Sequence, residues 1–244
     1  MEVIKPEKFL AKLSDRYYVN DSRRFLLTKF ELVSPRVIEF LAGQYLSLKV
    51  SEKGVRRSYS FATTPDVKHG FTLLSEIIPD GLGSKYLLDL PMGGEIEALA
   101  PLGKFVIGDE AKLLFVATGS GIVPIYSMIT DLLLNKHEKR PIRLHWGMRR
   151  ESDVFWFDNL ERLAENNENF VFDLVLSQAN EEWSLCSGHV QDCLSRDFEH
   201  EDMSFWGAYV CGNSKMVGEV KTLLREMGVS EENFHYEKFT EEEG

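Results

Sequence analysis

The pattern of apolar residues changes once along this chain, near residues 104–110, and that change limits the fold more than any motif does. Before it, the short β-rich runs "RRFLLTKFELV", "GQYLSLKV", "RRSYSFATT", "GFTLLSEII" and "GEIEALAPLG" are separated by turn signals. Strands at this spacing predict a six-stranded antiparallel β-barrel rather than layers of helices. One short helix fits "GSKYLLDL", with Ser84 as the candidate cap of its first turn. After the change, "KLLFVATG" is a continuous apolar run of the buried-strand kind, followed by "PIYSMITDLLLNK" with helical periodicity. The alternation then recurs: strand "IRLHWGM", helix "DVFWFDNLERLAE", strand "FVFDLVLS", helix around "HVQDCLSRDF", strand "FWGAYVCG", helix "SKMVGEVKTLLREMG" and a last strand "NFHYEKF". Such alternation predicts a parallel α/β sheet covered on both faces. Two domains are therefore expected, residues 1–106 and residues 107–244.

Composition narrows the function. Hydrophobic residues make up 43% and charged residues 27%, the balance of a soluble globular protein. No apolar run approaches the ~20 residues of a membrane span, and the first residues lack the features of a signal peptide. A cytoplasmic protein without membrane partners is expected. Cys186, Cys193 and Cys211 form no CxxC pair and are too few for a cysteine-ligated iron–sulfur cluster or a disulfide framework. The six histidines show no metal-ligand spacing, so no metal is expected. Redox chemistry, if any, has to come from a bound organic cofactor. The net charge of −11 argues against nucleic acid as a partner. It is unevenly spread: residues 1–104 carry 15 basic against 13 acidic side chains, residues 105–244 carry 13 against 26.

Three stretches hold residues suited to ligand chemistry. In "GVRRSYSFATTP" (54–65), strand alternation puts Arg57 and Tyr59 on one face and Ser58 and Ser60 on the other. That face offers a guanidinium fork and a flat ring about 7 Å apart, which suits a ligand with a phosphate and a planar ring system. A half-buried strand with a snorkelling arginine fits the same residues. "PDGLGSKYLL" (79–88) and "VATGSGIVP" (116–124) are Gly-rich turns that open helices. Gly81, Gly83 and Ser84 can present N–H groups and a hydroxyl to an anion, and Gly119 and Gly121 let backbone approach a phosphate. Pro124 suits an early helical position; tight-turn packing explains residues 116–124 as well as phosphate binding does, and residues 79–88 taken alone read as an ordinary turn with an N-cap. In "YVCGNSKMV" (209–217), Cys211 stands at the carboxyl edge of the second sheet, where open α/β sheets bind ligands.

The order "RSYS" (57–60), "GLGS" (81–84), "PLGKF" (101–105), "GSGIVP" (119–124), "WGMR" (146–149), "CGN" (211–213) and "EKF" (237–239) resembles the ferredoxin-NADP reductase family of flavoproteins over nearly the whole chain. The resemblance implies a flavin-binding barrel and a Rossmann-like domain for NAD(P). It implies that Arg57 holds flavin phosphate, Tyr59 lies against the isoalloxazine and Ser60 bonds near its N5, with Ser58 in the same motif. Gly81, Gly83 and Ser84 would complete the pyrophosphate site, and "EIIP" (76–79) would run its backbone, Glu76 and Ile77 included, along the ring. Gly119, Ser120, Gly121 and Pro124 would cradle the nicotinamide cofactor, with Arg149 and Ser177 near its ribose or phosphate and Cys211 and Gly212 beside the nicotinamide. Phe239 would cover the second flavin face, with "TEEEG" turning away behind it. Tyr59, Ser60 and Cys211 would flank the reacting atoms.

The implied activity is hydride transfer from NADH or NADPH to the N5 of FAD, in preference to FMN, by a monomer that passes electrons singly to a ferredoxin, a flavodoxin or another small carrier. Lys53, Arg56, Lys68, Lys85 and Lys104 lie in sequence beside the flavin motifs, as docking charges for an acidic carrier. Family members that use NADPH carry an arginine after the strand-ending serine; here Gln178 follows Ser177, with Glu181 and Glu182 close behind. That favours NADH, although Arg149 or Arg150 can reach a phosphate. The same stretch is similar to the NADH-dependent reductase components of multicomponent oxygenases. A free flavin reductase and a non-enzymatic flavin redox sensor are the remaining alternatives.

Overall fold

The computed structural model describes residues 4–239. Two compact units divide the chain: residues up to Ile107 together with Tyr126–Asn135, and Gly108–Ile125 with the residues from Lys136 onward.

The first unit is an antiparallel barrel of β1 (Glu7–Tyr18), β2 (Phe25–Ser34), β3 (Tyr45–Lys49), β4 (Arg56–Ser60), β5 (Gly70–Glu76) and β6 (Glu95–Leu102), in the order β4-β3-β6-β1-β2-β5. A bridge from Phe61 to Leu73 joins the end of β4 to β5 and nearly closes the sheet. Closure turns every second side chain inward, and the interior fills with Phe9, Leu13, Leu26, Phe30, Leu46, Leu48 and Phe61 among others. β1 is absent from the runs read in the sequence. Its inward positions are Phe9, Ala11 and Leu13, but a small alanine in the middle and an exposed Leu10 beside it blur the apolar–polar alternation.

Helix α1 (Leu82–Asp89) follows β5. Its N-cap is Gly81, with no side-chain cap; Ser84, the expected cap, lies inside the helix. The C-terminal end is held instead by Arg16, whose Nη1 donates to the carbonyls of Leu87, Leu88 and Leu90 at 2.7, 2.7 and 2.8 Å. Residues 126–135 belong to this unit through Ser127 Oγ, which donates to the Thr63 carbonyl at 2.6 Å, and Asn135 Nδ2, which donates to Asp66 at 2.9 Å.

The second unit is a parallel sheet of β7 (Lys112–Thr118), β8 (Ile142–Met148), β9 (Phe170–Leu176), β10 (Cys186–Ser187), β11 (Trp206–Asn213) and β12 (Phe234–Phe239), in the order β10-β9-β8-β7-β11-β12. Strand order reverses between β7 and β11, and such a switch point opens a crevice at the carboxyl ends of the strands. Helices α3 (Phe157–Asn166), α4 (Val190–Asp197) and α5 (Ser214–Glu226) accompany the strands, and α2 (Ile122–Thr130) starts in this unit and continues into the 126–135 segment counted with the barrel. α3 begins four residues after the expected start at Asp153, because Trp156 takes a left-handed conformation, φ 57°, at its N-cap. The core between sheet and helices gathers Leu114, Val116, Leu194, Val210, Val217 and Val220.

The cysteines depart from expectation. Cys186 and Cys193 are joined in a disulfide, leaving Cys211 as the free cysteine. The turn from β10 into α4 brings the pair together, which their spacing in sequence does not announce. Among the described residues no helix is long and apolar enough to cross a membrane.

Candidate functional site

In the barrel unit, β4 pairs antiparallel with β3, setting Tyr59 opposite Leu46 and Arg57 opposite Leu48. Opposite residues share a face, so Arg57 and Tyr59 lie together as alternation requires. The turn before α1 meets them there: a Cβ on Gly83 would lie 2.3 Å from the Tyr59 hydroxyl and 3.2 Å from Arg57 Cγ. Two motifs some 25 residues apart in sequence thus form one surface of arginine, ring and bare backbone at the start of a helix. No acidic residue occupies the first turn of α1, and its N-terminal N–H groups have no side-chain cap, the arrangement that suits a phosphate. Ser58 is exposed, while Ser60 is the last residue of β4 and is buried, so the strand end frees it from the alternation.

Four side chains of this region are engaged elsewhere. Ser84 Oγ accepts from the Ile78 N–H at 2.9 Å and lies 3.5 Å from the Glu76 carbonyl, so it ties the 76–84 turn together instead of facing outward to an anion. The Glu76 carboxylate accepts from Arg24 Nε and Nη2 at 2.8 and 2.6 Å. The Ile77 N–H donates to the Arg24 carbonyl at 2.8 Å, and the Ile77 side chain packs on the barrel core. Gly81 closes the turn, its N–H donating to the Ile78 carbonyl at 3.0 Å. Arg56, read as a docking charge, instead donates to Ser47 Oγ and O at 3.0 and 2.6 Å and to Glu97 at 3.4 Å.

In the α/β unit, the remaining candidates gather along the carboxyl edge of the sheet. Gly119, Ser120 and Gly121 form a single 3-10 turn between β7 and α2, and Pro124 is buried in the first turn of that helix. Gly119 has φ 55°, a left-handed conformation that disfavours side chains. The Trp146 indole N–H donates to its carbonyl at 3.1 Å and fixes the turn from below. Across the switch point, a Cβ on Gly121 would lie 2.2 Å from the Cys211 carbonyl, and one on Gly212 would lie 2.2 Å from Thr118 Oγ1. The ends of β7 and β11 therefore approach as only glycines permit. The Thr118 hydroxyl is buried there with no hydrogen-bond partner, and no sequence motif marks it.

At the ends of β8 and β9, the Ser177 N–H donates to the Met148 carbonyl at 3.0 Å and the Gln178 N–H to the Arg149 carbonyl at 2.8 Å. Arg149 and Ser177 are consequently adjacent and exposed. Arg150 Nε donates to Gln178 Oε1 at 3.0 Å. Phe239 ends β12 opposite Asn213 and is half-buried; the "TEEEG" that follows lies outside the described residues.

Cys211 is fully buried, and burial raises its thiol well above the ordinary range, which keeps it a neutral S–H rather than a nucleophile. Its partner across the ladder is Glu237 of "EKF", which burial pushes up to about 7. Sequence reasoning misses this carboxyl, because only strand register places it beside Cys211. Away from this edge, His145 Nε2 lies 3.0 Å from Asp197 Oδ2 and 3.6 Å from Asp173 Oδ2. The three offer ligand atoms within 4.8 Å of one another, a cluster the histidine spacing does not reveal.

Residues 11–107 match the oxidoreductase FAD-binding domain family, and residues 115–222 match the oxidoreductase NAD-binding domain family. The chain is 32% identical over 220 residues to ferredoxin–NADP reductase B of Sorangium cellulosum, an alignment spanning 86% of this chain and 89% of that protein. It is 31% identical over 204 residues to the anthranilate 1,2-dioxygenase electron transfer component of Acinetobacter baylyi, with 83% of this chain and 59% of that protein aligned. Among solved structures, the cytochrome P450 reductase of Amycolatopsis shares the fold over 97% of this chain and 71% of its own, with a TM-score of 0.86 and 25% identity. The ferredoxin reductase in carbazole 1,9a-dioxygenase shares it over 98% of this chain and 71% of its own, with a TM-score of 0.83 at 19% identity. With both domains matched in order and a relative aligned over most of its length, the chain belongs to the ferredoxin–NADP reductase family of FAD- and NAD(P)-binding oxidoreductases.

Proposed function

We propose that this protein oxidises NADH or NADPH and delivers the electrons one at a time to a separate protein carrier, a ferredoxin, a flavodoxin or an oxygenase component. The observation that carries this reading is the convergence of Arg57, Tyr59 and Gly83 on the uncapped start of α1. FAD, when bound, supplies a centre that takes two electrons as hydride and releases them singly.

The chain's own part is binding and alignment. Arg57 and the N–H groups at the start of α1 hold pyrophosphate, and Tyr59 seats the ring system. Ser60 stands at the strand end nearest the reacting edge, and Ser58 holds the motif's outer face. Gly81 and Ser84 shape the turn from within, and the backbone at Glu76 and Ile77 lines the ring. In the α/β unit, Gly119, Ser120, Gly121 and Pro124 form the nucleotide cradle. Arg149 and Ser177 receive the ribose or phosphate, Cys211 and Gly212 flank the nicotinamide, and Phe239 covers a ring face. Buried Cys211 contributes shape and an S–H, with no covalent step.

NADH is the favoured donor. A neutral Gln178 follows Ser177 and accepts from Arg150, and Glu181 and Glu182 disfavour a second phosphate nearby. The test is to purify the protein, extract and identify its yellow cofactor, and compare NADH with NADPH using a one-electron dye. FAD with donor-dependent dye reduction is expected. Absence of flavin, or absence of any pyridine-nucleotide oxidation by the flavin-loaded protein, overturns the reading.

A further inference from the structure

Of the two bonded cysteines, Cys193 is buried in the core of the α/β unit. Cys186 is half-buried and lines, with Arg196 and Asp173, a surface cavity of about 470 Å³. Arg196 Nη2 lies 3.2 Å from Cys186 Sγ. The guanidinium is held in that place by Asp197, which accepts from Arg196 Nε at 3.0 Å and is itself fixed by His145. A held cation beside a sulfur stabilises its thiolate. A half-buried cysteine that lines a cavity beside a cation, bonded to a fully buried one, is the arrangement of a reactive thiol and its resolving partner.

The bond also has a mechanical place. β10 is a two-residue edge strand, paired only with Val175 and Leu176 of β9, and the loop 177–185 that precedes it begins with Ser177 and Gln178. The start of the loop is fixed by the Ser177 and Gln178 N–H groups on the Met148 and Arg149 carbonyls and by Arg150 on Gln178, whereas its far end is closed by fewer bonds: the Trp183 indole N–H donates to the Cys186 carbonyl at 3.0 Å and the Gly188 N–H to the Leu176 carbonyl at 2.9 Å. The disulfide ties that end of the loop to α4.

We propose that Cys186–Cys193 is a thiol–disulfide exchange site for a dithiol reductant, and that its state sets how firmly the 177–185 loop is held. A thiolate of the dithiol attacks Cys186 Sγ, a mixed disulfide forms, and the Cys186–Cys193 bond breaks with Cys193 leaving as a thiolate that takes a proton. The second thiol of the reductant then attacks its own sulfur in the mixed disulfide and releases Cys186 as a thiolate beside Arg196. The dithiol is oxidised to a disulfide and gives up two electrons and two protons; the protein takes both electrons and one proton, on Cys193, and the second proton goes to solvent while Cys186 stays a thiolate. Loss of the tie loosens the far end of the loop, residues 179–185 behind Ser177 and Gln178, and weakens binding of the nicotinamide cofactor, a consequence that rests on the function proposed above.

The experiment equilibrates the full-length, flavin-loaded protein in buffers of reduced and oxidised dithiothreitol, quenches with acid, and maps alkylated cysteines by peptide mass. Cys186 and Cys193 are expected to change together in one two-electron transition while Cys211 does not respond. Glu-specific proteolysis at Glu181 and Glu182 is expected to speed up on reduction. KM for the nicotinamide donor should rise about three- to tenfold with kcat within about twofold, the signature of lost binding. Cys186→Ser/Cys193→Ser should show the raised KM in both buffers. In Cys193→Ser, adding Arg196→Gln should slow alkylation of Cys186 by iodoacetamide about threefold or more. Full alkylation of both cysteines in oxidising buffer, or no effect of Arg196→Gln, overturns the exchange site. Conversion of the cysteines without change in proteolysis overturns the loop coupling. A protein that never oxidises a nicotinamide donor overturns the proposed function instead, since mapping and proteolysis need no turnover.

Discussion

Gly83 faces the Tyr59 hydroxyl so closely that a Cβ on it would lie 2.3 Å away. Gly83→Ala therefore sets two effects against each other. In a helix, alanine is favoured over glycine by up to about 1 kcal/mol. The new methyl, however, displaces the Tyr59 ring, whose stacked contact contributes about 0.5–1.5 kcal/mol beyond area burial. The variant is expected to fold with near wild-type thermal stability when stripped of flavin, but to bind FAD about tenfold more weakly. Fluorescence titration of the deflavinated protein measures this; an unchanged Kd shows that Tyr59 does not seat the flavin.

Arg16 holds the end of α1 through three carbonyls, none of which belongs to the flavin motifs. α1 has no basic residue in its last turn, so Arg16 also brings positive charge to the negative end of the helix dipole. Hydrogen bonds from a charged donor are worth about 1.5–3 kcal/mol, and Arg16→Ala should lower Tm by roughly 4–8 °C. Differential scanning calorimetry is the measurement. Arg16→Lys should recover only part of the loss, because all three bonds come from the outer guanidinium nitrogen Nη1, which the shorter lysine does not reach as well, while its charge still favours the helix end.

Glu237, held at about 7 by burial, gives a pH dependence of definite sign. The folded chain binds this proton more tightly than the unfolded chain, whose carboxyl titrates near 4.5. Its contribution to stability is complete below the unfolded value and is lost as pH rises through about 7. The full difference corresponds to about 3 kcal/mol as an upper bound, because the side chain keeps some contact with water. Glu237→Gln removes that titration. Denaturant midpoints at pH 5 and pH 8 should converge in the variant, which gains about 1–3 kcal/mol on the wild type at the higher pH. An equal pH dependence in both proteins shows that Glu237 ionises normally.

What is legible in the sequence follows from the range of the interactions involved. The Gly-rich turns and the apolar grammar of each half are local, so "GLGS", "GSGIVP" and the strand runs can be placed directly. β1 is harder because its inward face is carried by Phe9, Ala11 and Leu13, with a small alanine inside and the exposed Leu10 outside obscuring the alternation. Ser84 can be recognised as important but not assigned a partner: its hydroxyl bonds back to Ile78 across the turn, a closure that depends on the shape of the whole 76–84 segment. Thr118 and Glu237 gain meaning only through sheet register, which brings them to Gly212 and Cys211 from distant parts of the chain. The cysteine pair is illegible for the same reason, since nothing in the spacing of residues 186 and 193 foretells the turn of β10 into α4.

The charge asymmetry supplies the last prediction, with one revision. Arg56 is engaged by Ser47 and Glu97, so the exposed lysines Lys53, Lys85 and Lys104 are left as the better candidates for meeting an acidic carrier. Attraction over such a patch raises association rates at low salt and is screened within a Debye length of about 8–10 Å at physiological ionic strength. A small neutral dye feels little of this field. Electron delivery to an acidic carrier should therefore slow as salt rises from about 20 to 300 mM, while dye reduction with the same nicotinamide donor changes much less. Lys53→Glu/Lys85→Glu should slow the carrier reaction about tenfold at low salt, where steering is strongest, and leave dye reduction unchanged. At high salt the variant and the wild type should converge. Equal salt sensitivity in the two assays, or a charge reversal without effect on the carrier, removes the case for an acidic protein docking on this face.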